Sequence, residues 1–186
     1  MDGEHLPIQN IYAALAVDEG RNALIFDDVL AALEVGRSPI LLTERKAHAE
    51  RLADRLGRFA RNVLLLRGGM GTRQRREIMQ RLEEIPEAEE RVLVATGRYV
   101  GEGFDDARLD TLFLAMPISW KGTLEQYVGR LHRMHPAKRE VLVYDYVDDA
   151  VSALRRMSGK RIRGYESLGY AVESPAAAPL LEAAGG

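Results

Sequence analysis

The sequence predicts an α/β protein, an open and mostly parallel sheet with helices on both faces. Three observations predict it. Five short apolar runs recur along the chain, at 39–43 (PILLT), 62–66 (NVLLL), 91–95 (RVLVA), 111–115 (TLFLA) and 140–146 (EVLVYDY). Each run is nearly continuous in apolar residues instead of alternating, as in strands covered on both faces. Helix-period segments separate the runs, so strand and helix alternate as βα units.

Two helices precede the first run, at about 7–16 and about 18–33. After 39–43, segment 44–56 sets Ala49, Leu52, Ala53 and Leu56 on one side and Arg51, Asp54 and Arg55 on the other. Segment 72–82 carries Ile78, Met79 and Leu82 at core spacing, and Pro86 stops it. Segment 123–133 carries Leu124, Tyr127, Val128 and Leu131. Segment 148–157 opens on Asp148, a candidate N-cap, and continues with Val151, Leu154 and Met157. The expected plan is N-terminal helices over 1–36, one sheet domain over 37–170 and a flexible tail over 171–186, where six alanines, two prolines and two glycines collect. Trp120, beside Pro117 and Ile118, reads as a packing residue. In such sheets ligands sit at the carboxyl ends of strands. Chemistry is therefore expected in the loops after Thr43, Leu66, Ala95, Ala115 and Tyr146.

Charge narrows the function. The 26 Lys/Arg and 28 Asp/Glu nearly cancel, which excludes a wholesale polycation but not a local basic face. Residues 37–76 hold 11 Lys/Arg against 3 Asp/Glu, and 77–90 hold 6 acids against 1 base. Arg155, Arg156, Lys160, Arg161 and Arg163 form a second basic stretch. Such stretches are solvated helix faces or a footprint for a phosphate backbone. With no cysteine, disulfide scaffolds, thiolate zinc sites and cysteine nucleophiles are excluded. No apolar run is long enough for a bilayer. The polar start is no signal peptide, so a cytoplasmic protein without membrane contact is expected. His132 and His135 have no third ligand type nearby, and neither Asp105-Asp106 nor Asp148-Asp149 has calcium-loop spacing, so no metal site is expected.

Two constellations carry chemistry. Gln126, Arg130 and Arg133 fall at i, i+4 and i+7 and share one helix face. Two planar guanidinium forks and an amide suit a cluster of phosphate oxygens, though an ordinary exposed arginine face would look the same. Gly129 between them admits close approach of another backbone. The second constellation is Thr96-Gly97-Arg98-Tyr99-Val100-Gly101-Glu102-Gly103-Phe104-Asp105, a glycine-rich turn after a strand. Its glycines let backbone N–H groups approach a phosphate or sugar, and Asp105 can accept from ribose hydroxyls.

In this order the two resemble motifs V and VI of the superfamily 2 helicases and translocases. Thr96, Gly103 and Asp105 match motif V; Gln126, Gly129, Arg130 and Arg133 match Gln-x-x-Gly-Arg-x-x-Arg of motif VI. Ile40-Leu41-Leu42-Thr43-Glu44-Arg45 resembles motif IV, and Gly68-Gly69-Met70 with Arg75 resembles motif IVa. Asp18-Glu19-Gly20-Arg21-Asn22 and Arg161-Ile162-Arg163-Gly164-Tyr165 resemble flanks of the bacterial DEAD/DEAH-box or type III restriction-like branch. The stretch 96–103 is one residue longer than its DEAD-box counterpart, and Leu131-His132-Arg133 stands where many relatives have Thr-Gly-Arg. No Gly-x-x-x-x-Gly-Lys-Ser/Thr occurs, so there is no P-loop.

The resemblance implies the second of two RecA-like lobes, with a P-loop-NTPase-type fold. ATP with Mg²⁺ would be held mainly by an N-terminal RecA-like lobe that is missing here, expected on the same natural chain. Arg133 would be the arginine finger, Arg130 a second γ-phosphate contact or a closure sensor, and Gln126 a positioner of water or phosphate. Gly103, Asp105 and Gly129 would line the nucleotide. Thr43, Arg45, Gly69, Arg75, Thr96 and Lys121 would meet nucleic-acid backbone, with DNA favoured over RNA. A monomer is expected, inactive as an isolated chain. A non-catalytic binding module of the same fold is the alternative. An unrelated dinucleotide enzyme is disfavoured, since the Gly-x-Gly-x-x-Gly fingerprint is missing.

Overall fold

The computed structural model describes residues 7–97, 105–120 and 123–174. Five strands form one sheet: β1 (Pro39–Thr43), β2 (Val63–Leu66), β3 (Val92–Thr96), β4 (Thr111–Leu114) and β5 (Leu142–Asp145). Their order is β2-β3-β1-β4-β5, and every pairing is parallel. Among the described residues six helices accompany them: α1 (Ile8–Val17), α2 (Glu19–Glu34), α3 (Lys46–Leu56), α4 (Thr72–Glu84), α5 (Thr123–Leu131) and α6 (Ser152–Ser167).

The continuous apolar runs are explained by two cores. Ile40, Leu42, Leu93, Ala95, Leu112 and Leu114 point to one face, where α4, α5 and α6 supply Leu82, Leu124, Tyr127, Val128, Leu131 and Tyr165. Leu41, Val92, Val94, Phe113 and Ala115 point to the other, against Ile25, Phe26 and Val29 of α2 and Ala49, Leu52 and Leu56 of α3. A strand buried on both sides has no polar position to spare, so alternation disappears. Burying each large side chain stabilises by roughly 1.5–3 kcal/mol.

The last helix departs from expectation. It starts at Ser152, not Asp148, and continues to Ser167. Asp148 does not cap it; its carboxylate pairs with Arg21 at 3.4 Å. The N-cap is Val151, which makes no side-chain cap bond. Within α6, Gly164 lies under Trp120: a Cβ there would sit 2.0 Å from the indole. Trp120 in turn meets Tyr165 edge-on at 5.1 Å, so the packing role expected of this tryptophan is what the fold uses. Arg161, read above as part of a basic surface stretch, is wholly buried. Its guanidinium donates to both Asp145 oxygens, at 2.7 and 2.8 Å, and to the Ile118 carbonyl at 3.2 Å. It ties α6 to the ends of β4 and β5 and offers nothing to solvent.

Candidate functional site: two ends of one sheet

The carboxyl rim gathers the residues that follow β1, β2 and β3. Thr43 and Thr96 are register partners at the last rung of β1 and β3. Both are buried. The Thr96 hydroxyl accepts from the Gly68 N–H at 3.1 Å, which seats the turn after β2 against the end of β3. Gly69 in that turn has φ +85°, a left-handed conformation that favours glycine, and it is exposed. Thr43 does not reach the surface. It joins a buried relay with His48 of α3 and Asn22 of α2. Asn22 donates its amide N–H to the Ala16 carbonyl at 3.1 Å, so its oxygen faces His48 Nε2 at 2.9 Å as acceptor. His48 Nε2 therefore carries the proton, and Nδ1 accepts from the Thr43 hydroxyl at 2.9 Å. Burial and the nearby Arg21, Arg51 and Arg45 charges hold the His48 pKa down, at about 4. Thr43 therefore supports the rim from inside instead of offering its hydroxyl to a strand.

Arg45 is half-buried and donates to the Gln9 carbonyl of α1 at 3.1 Å. The Tyr12 hydroxyl of α1 donates to the Pro117 carbonyl at 2.7 Å. Helix α1 thus touches the loops after β1 and β4 at the same rim. Arg75 lies on α4, half-buried. Lys121 and Gly103 lie outside the described residues.

The motif VI residues lie elsewhere. Helix α5 begins after the carboxyl end of β4 and runs back along the sheet, so Arg130 and Arg133 come out near the amino ends of the strands. Neighbouring bonds fix this position. Asp106 accepts from Arg91, the residue before β3. The Ser38 N–H, just before β1, donates to Asp110 at 3.0 Å. His135 meets Glu87, in the connection that enters β3, at 3.1 Å. The motif VI candidates thus lie away from the carboxyl-rim loops in which chemistry was expected: the crossover helix carries its C-terminal turn to the opposite end.

There Arg133 forms an ion pair with Asp105. Their side chains are 55% and 48% exposed, so the pair is open to water. Gln126 and Gly129 are exposed and Arg130 is half-buried. Among the described residues a Cβ on Gly129 would meet nothing within 4 Å, so their packing does not demand glycine there. Asp105, Asp106, Leu109, Tyr127, Arg130 and Leu131 line a small cleft. The structure thus brings together Arg130, Arg133 and Asp105, and separately Thr43, Thr96 and the 68–69 turn. Sequence reading missed three participants: His48, Asn22 and the Tyr127 hydroxyl. Only periodicity could have found them, by setting each on the inner face of its helix.

Among the described residues no group of three His, Asp or Glu could hold a metal ion. No helix among them is long and apolar enough to cross a membrane.

Comparisons with known proteins agree with this architecture. A family model described as "Helicase conserved C-terminal domain" matches residues 19–135. Transcript termination protein A18 of fowlpox virus (strain NVSL) is 24% identical over 148 residues, which are 78% of this chain and 31% of that protein. Transcript termination protein OPG145 of monkeypox virus is 27% identical over 172 residues, 86% of this chain and 33% of that protein. The chain therefore spans about a third of the length of these curated relatives. The crystal structure of T4 UvsW superposes with a TM-score of 0.71 at 20% identity, covering 88% of this chain and 36% of that one. The E. coli DEAD-box protein SrmB, solved bound to regulator of ribonuclease activity A, superposes with a TM-score of 0.56 at 27% identity, covering 77% of this chain and 79% of that one. The chain belongs to the helicase conserved C-terminal domain family, and its fold is that of the C-terminal RecA-like lobe of superfamily 2 helicases.

Proposed function

We propose that this lobe supplies motifs IV, V and VI, including an arginine finger, to an ATP-dependent nucleic-acid helicase or translocase. The observation that carries the reading is the convergence of Arg130, Arg133 and Asp105 at one water-exposed end of the sheet, with Thr96 and the Gly69 turn at the other. Two guanidiniums beside an exposed Gln126 are a donor set that fits phosphate oxygens.

In this reading Arg133 neutralises charge that develops on the transferred phosphoryl group, and Arg130 and Gln126 orient it. Phosphoryl transfer depends mostly on such positioning and neutralisation. Asp105 keeps the Arg133 fork directed until a phosphate competes for it. Because the finger belongs to a second lobe, hydrolysis waits for the lobes to close, and closure converts turnover into movement along a strand. At the other rim, backbone N–H groups of the Gly68–Gly69 turn and the Arg45 and Arg75 side chains hold phosphates without reading sequence. The ion pair that Arg133 already makes favours the other reading, a nucleic-acid or protein-binding module whose motif VI never meets ATP.

Hydrolysis assays separate the two. The 186-residue chain alone is expected to turn over no ATP. Joined to the lobe that carries the P-loop, it is expected to hydrolyse ATP and to be stimulated by DNA or RNA, whichever strand it follows. Turnover by the chain alone, or none by the joined lobes, overturns the reading.

A further inference from the structure

Arg133 is not held by its own helix. α5 ends at Leu131, and the turn 132–134 that follows is exposed, with Met134 93% open to solvent. Two backbone bonds tie the turn to the helix: His132 N–H donates to the Gly129 carbonyl at 3.3 Å and Arg133 N–H to the Arg130 carbonyl at 3.0 Å. The carbonyls that point onward have no helical N–H to meet them, as at any helix end. Lys138 meets two of them. Its Nζ donates to the Leu131 carbonyl and to the Arg133 carbonyl, each at 2.8 Å.

The lysine is itself seated. Its backbone N–H donates to the His135 carbonyl at 3.0 Å. His135 Nδ1 accepts from the Ala137 N–H at 3.2 Å, so Nε2 carries the proton and donates to Glu87 at 3.1 Å. Residues 131–138 thus close into a ring through the Lys138 side chain, moored to the connection that enters β3. Stability is a poor reason for such a ring. Water serves an exposed carbonyl nearly as well, and ordering a lysine side chain forfeits more rotamer freedom than ordering most others. The return is a fixed place for the backbone of residue 133. Asp105 pairs with the tip of the Arg133 side chain, and Lys138 fixes its root. The root can stay put when the tip exchanges a carboxylate for a phosphate.

We propose that Lys138 is a positioning residue for Arg133: by bridging the last carbonyl of α5 and the carbonyl of residue 133, it sets where the guanidinium stands when the lobes close. This rests on the finger reading of Arg133 given above. Lys138 acts through Arg133 and makes no nucleotide contact of its own.

The test is a cycle in the two-lobed motor: wild type, Lys138→Met, Lys138→Arg, Arg133→Ala and the double variant Arg133→Ala/Lys138→Met. Methionine keeps the stem of the side chain and removes the donor. Steady-state hydrolysis gives kcat, and equilibrium binding gives the Kd for ATP. Lys138→Met is expected to lower kcat about tenfold to a hundredfold, the effect of a misplaced group, with the Kd for ATP unchanged within about twofold. Lys138→Arg should recover most of kcat, since a guanidinium can also donate to two carbonyls. On the Arg133→Ala background, Lys138→Met should change kcat by less than about twofold, because a residue that acts through Arg133 has nothing left to place. Wild-type kcat in Lys138→Met beside a slow Arg133→Ala overturns the role of Lys138 alone. Losses that multiply in the double variant also overturn it, since Lys138 then acts apart from Arg133. So does a Lys138→Met motor that fails to fold or loses ATP binding as steeply as kcat, since the ammonium then builds the domain. Undiminished kcat in Arg133→Ala overturns the finger reading, and this inference with it.

Discussion

Arg161 lies in the basic stretch 155–163 and Arg133 in motif VI, both on segments read as solvent-facing from sequence, and the fold uses the two arginines in opposite ways. Arg161 is wholly buried, and its side chain makes bonds to Asp145 and Ile118 that hold α6 to the sheet. Arg133 lies just past the end of α5 near the amino side of the sheet, half in water, with one carboxylate beside it. All three guanidinium nitrogens of Arg161 are matched, and removing a partner from a buried charge costs several kcal/mol. An exposed one is matched loosely because water serves nearly as well. The degree of matching therefore separates an arginine that builds the lobe from one that can change partners.

The two arginines differ most in catalysis. Arg133→Ala in the two-lobed motor is expected to lower kcat by about 10³–10⁵, the usual worth of a finger, while ATP binding stays within a few-fold. Hydrolysis and equilibrium binding measured on the same preparation check this; equal losses in both would remove the finger role. The next largest effect lies at the other arginine. Arg161→Met strands Asp145 inside the domain and is expected to cost about 3–5 kcal/mol in urea unfolding of the chain, a large share of the stability of one domain. Arg161→Lys should recover only part of it, since an ammonium cannot span both Asp145 oxygens.

How far the sequence reveals these uses depends on what sets them. Strands were legible to within about two residues because two covered faces force unbroken apolar runs: 39–43 and Pro39–Thr43 coincide. The start of α6 was not legible. Asp148 has the chemistry of a cap, but Arg21, 127 positions earlier, claims its carboxylate. The same holds for Arg161, whose surroundings in sequence are basic and polar and whose partner Asp145 is contributed by β5. Motif VI spacing predicts a helix over 123–133 with Gln126, Arg130 and Arg133 on one face, but α5 ends at Leu131 and Arg133 lies in the turn beyond it. The spacing could not give the end of the sheet at which that face emerges, which follows from the direction α5 takes after β4. A side chain's own helix is read from its period; its long-range partner is a property of topology.

A third contrast concerns protons. His48 is 2% exposed and kept neutral, with a pKa of about 4 against 6.5 when unfolded. Between those values the unfolded chain binds a proton that the folded chain refuses, so stability rises with pH through this window. Its contribution is complete above about pH 6.5 and is lost as pH falls toward 4. From pH 7 to pH 5 the relay should therefore lose about 2 kcal/mol. Urea unfolding at both values measures it, and His48→Gln should flatten the difference. A wild-type curve already flat over this range would mean the relay opens when protonated at little cost.

The weakest of these interactions is the Arg133–Asp105 pair itself. A double-mutant cycle on Arg133→Ala and Asp105→Ala, read by urea unfolding of the chain, is expected to give a coupling of about 0.2–1 kcal/mol. The pair is half-exposed, so water and salt screen it, and 0.5 M salt should reduce the coupling further. A weak bond is what a finger needs. If Asp105 held Arg133 by several kcal/mol, a phosphate would have to supply that energy before neutralisation began, and the two arginines compared here would be doing the same job. A coupling above about 2 kcal/mol would therefore assign Arg133 to the fold.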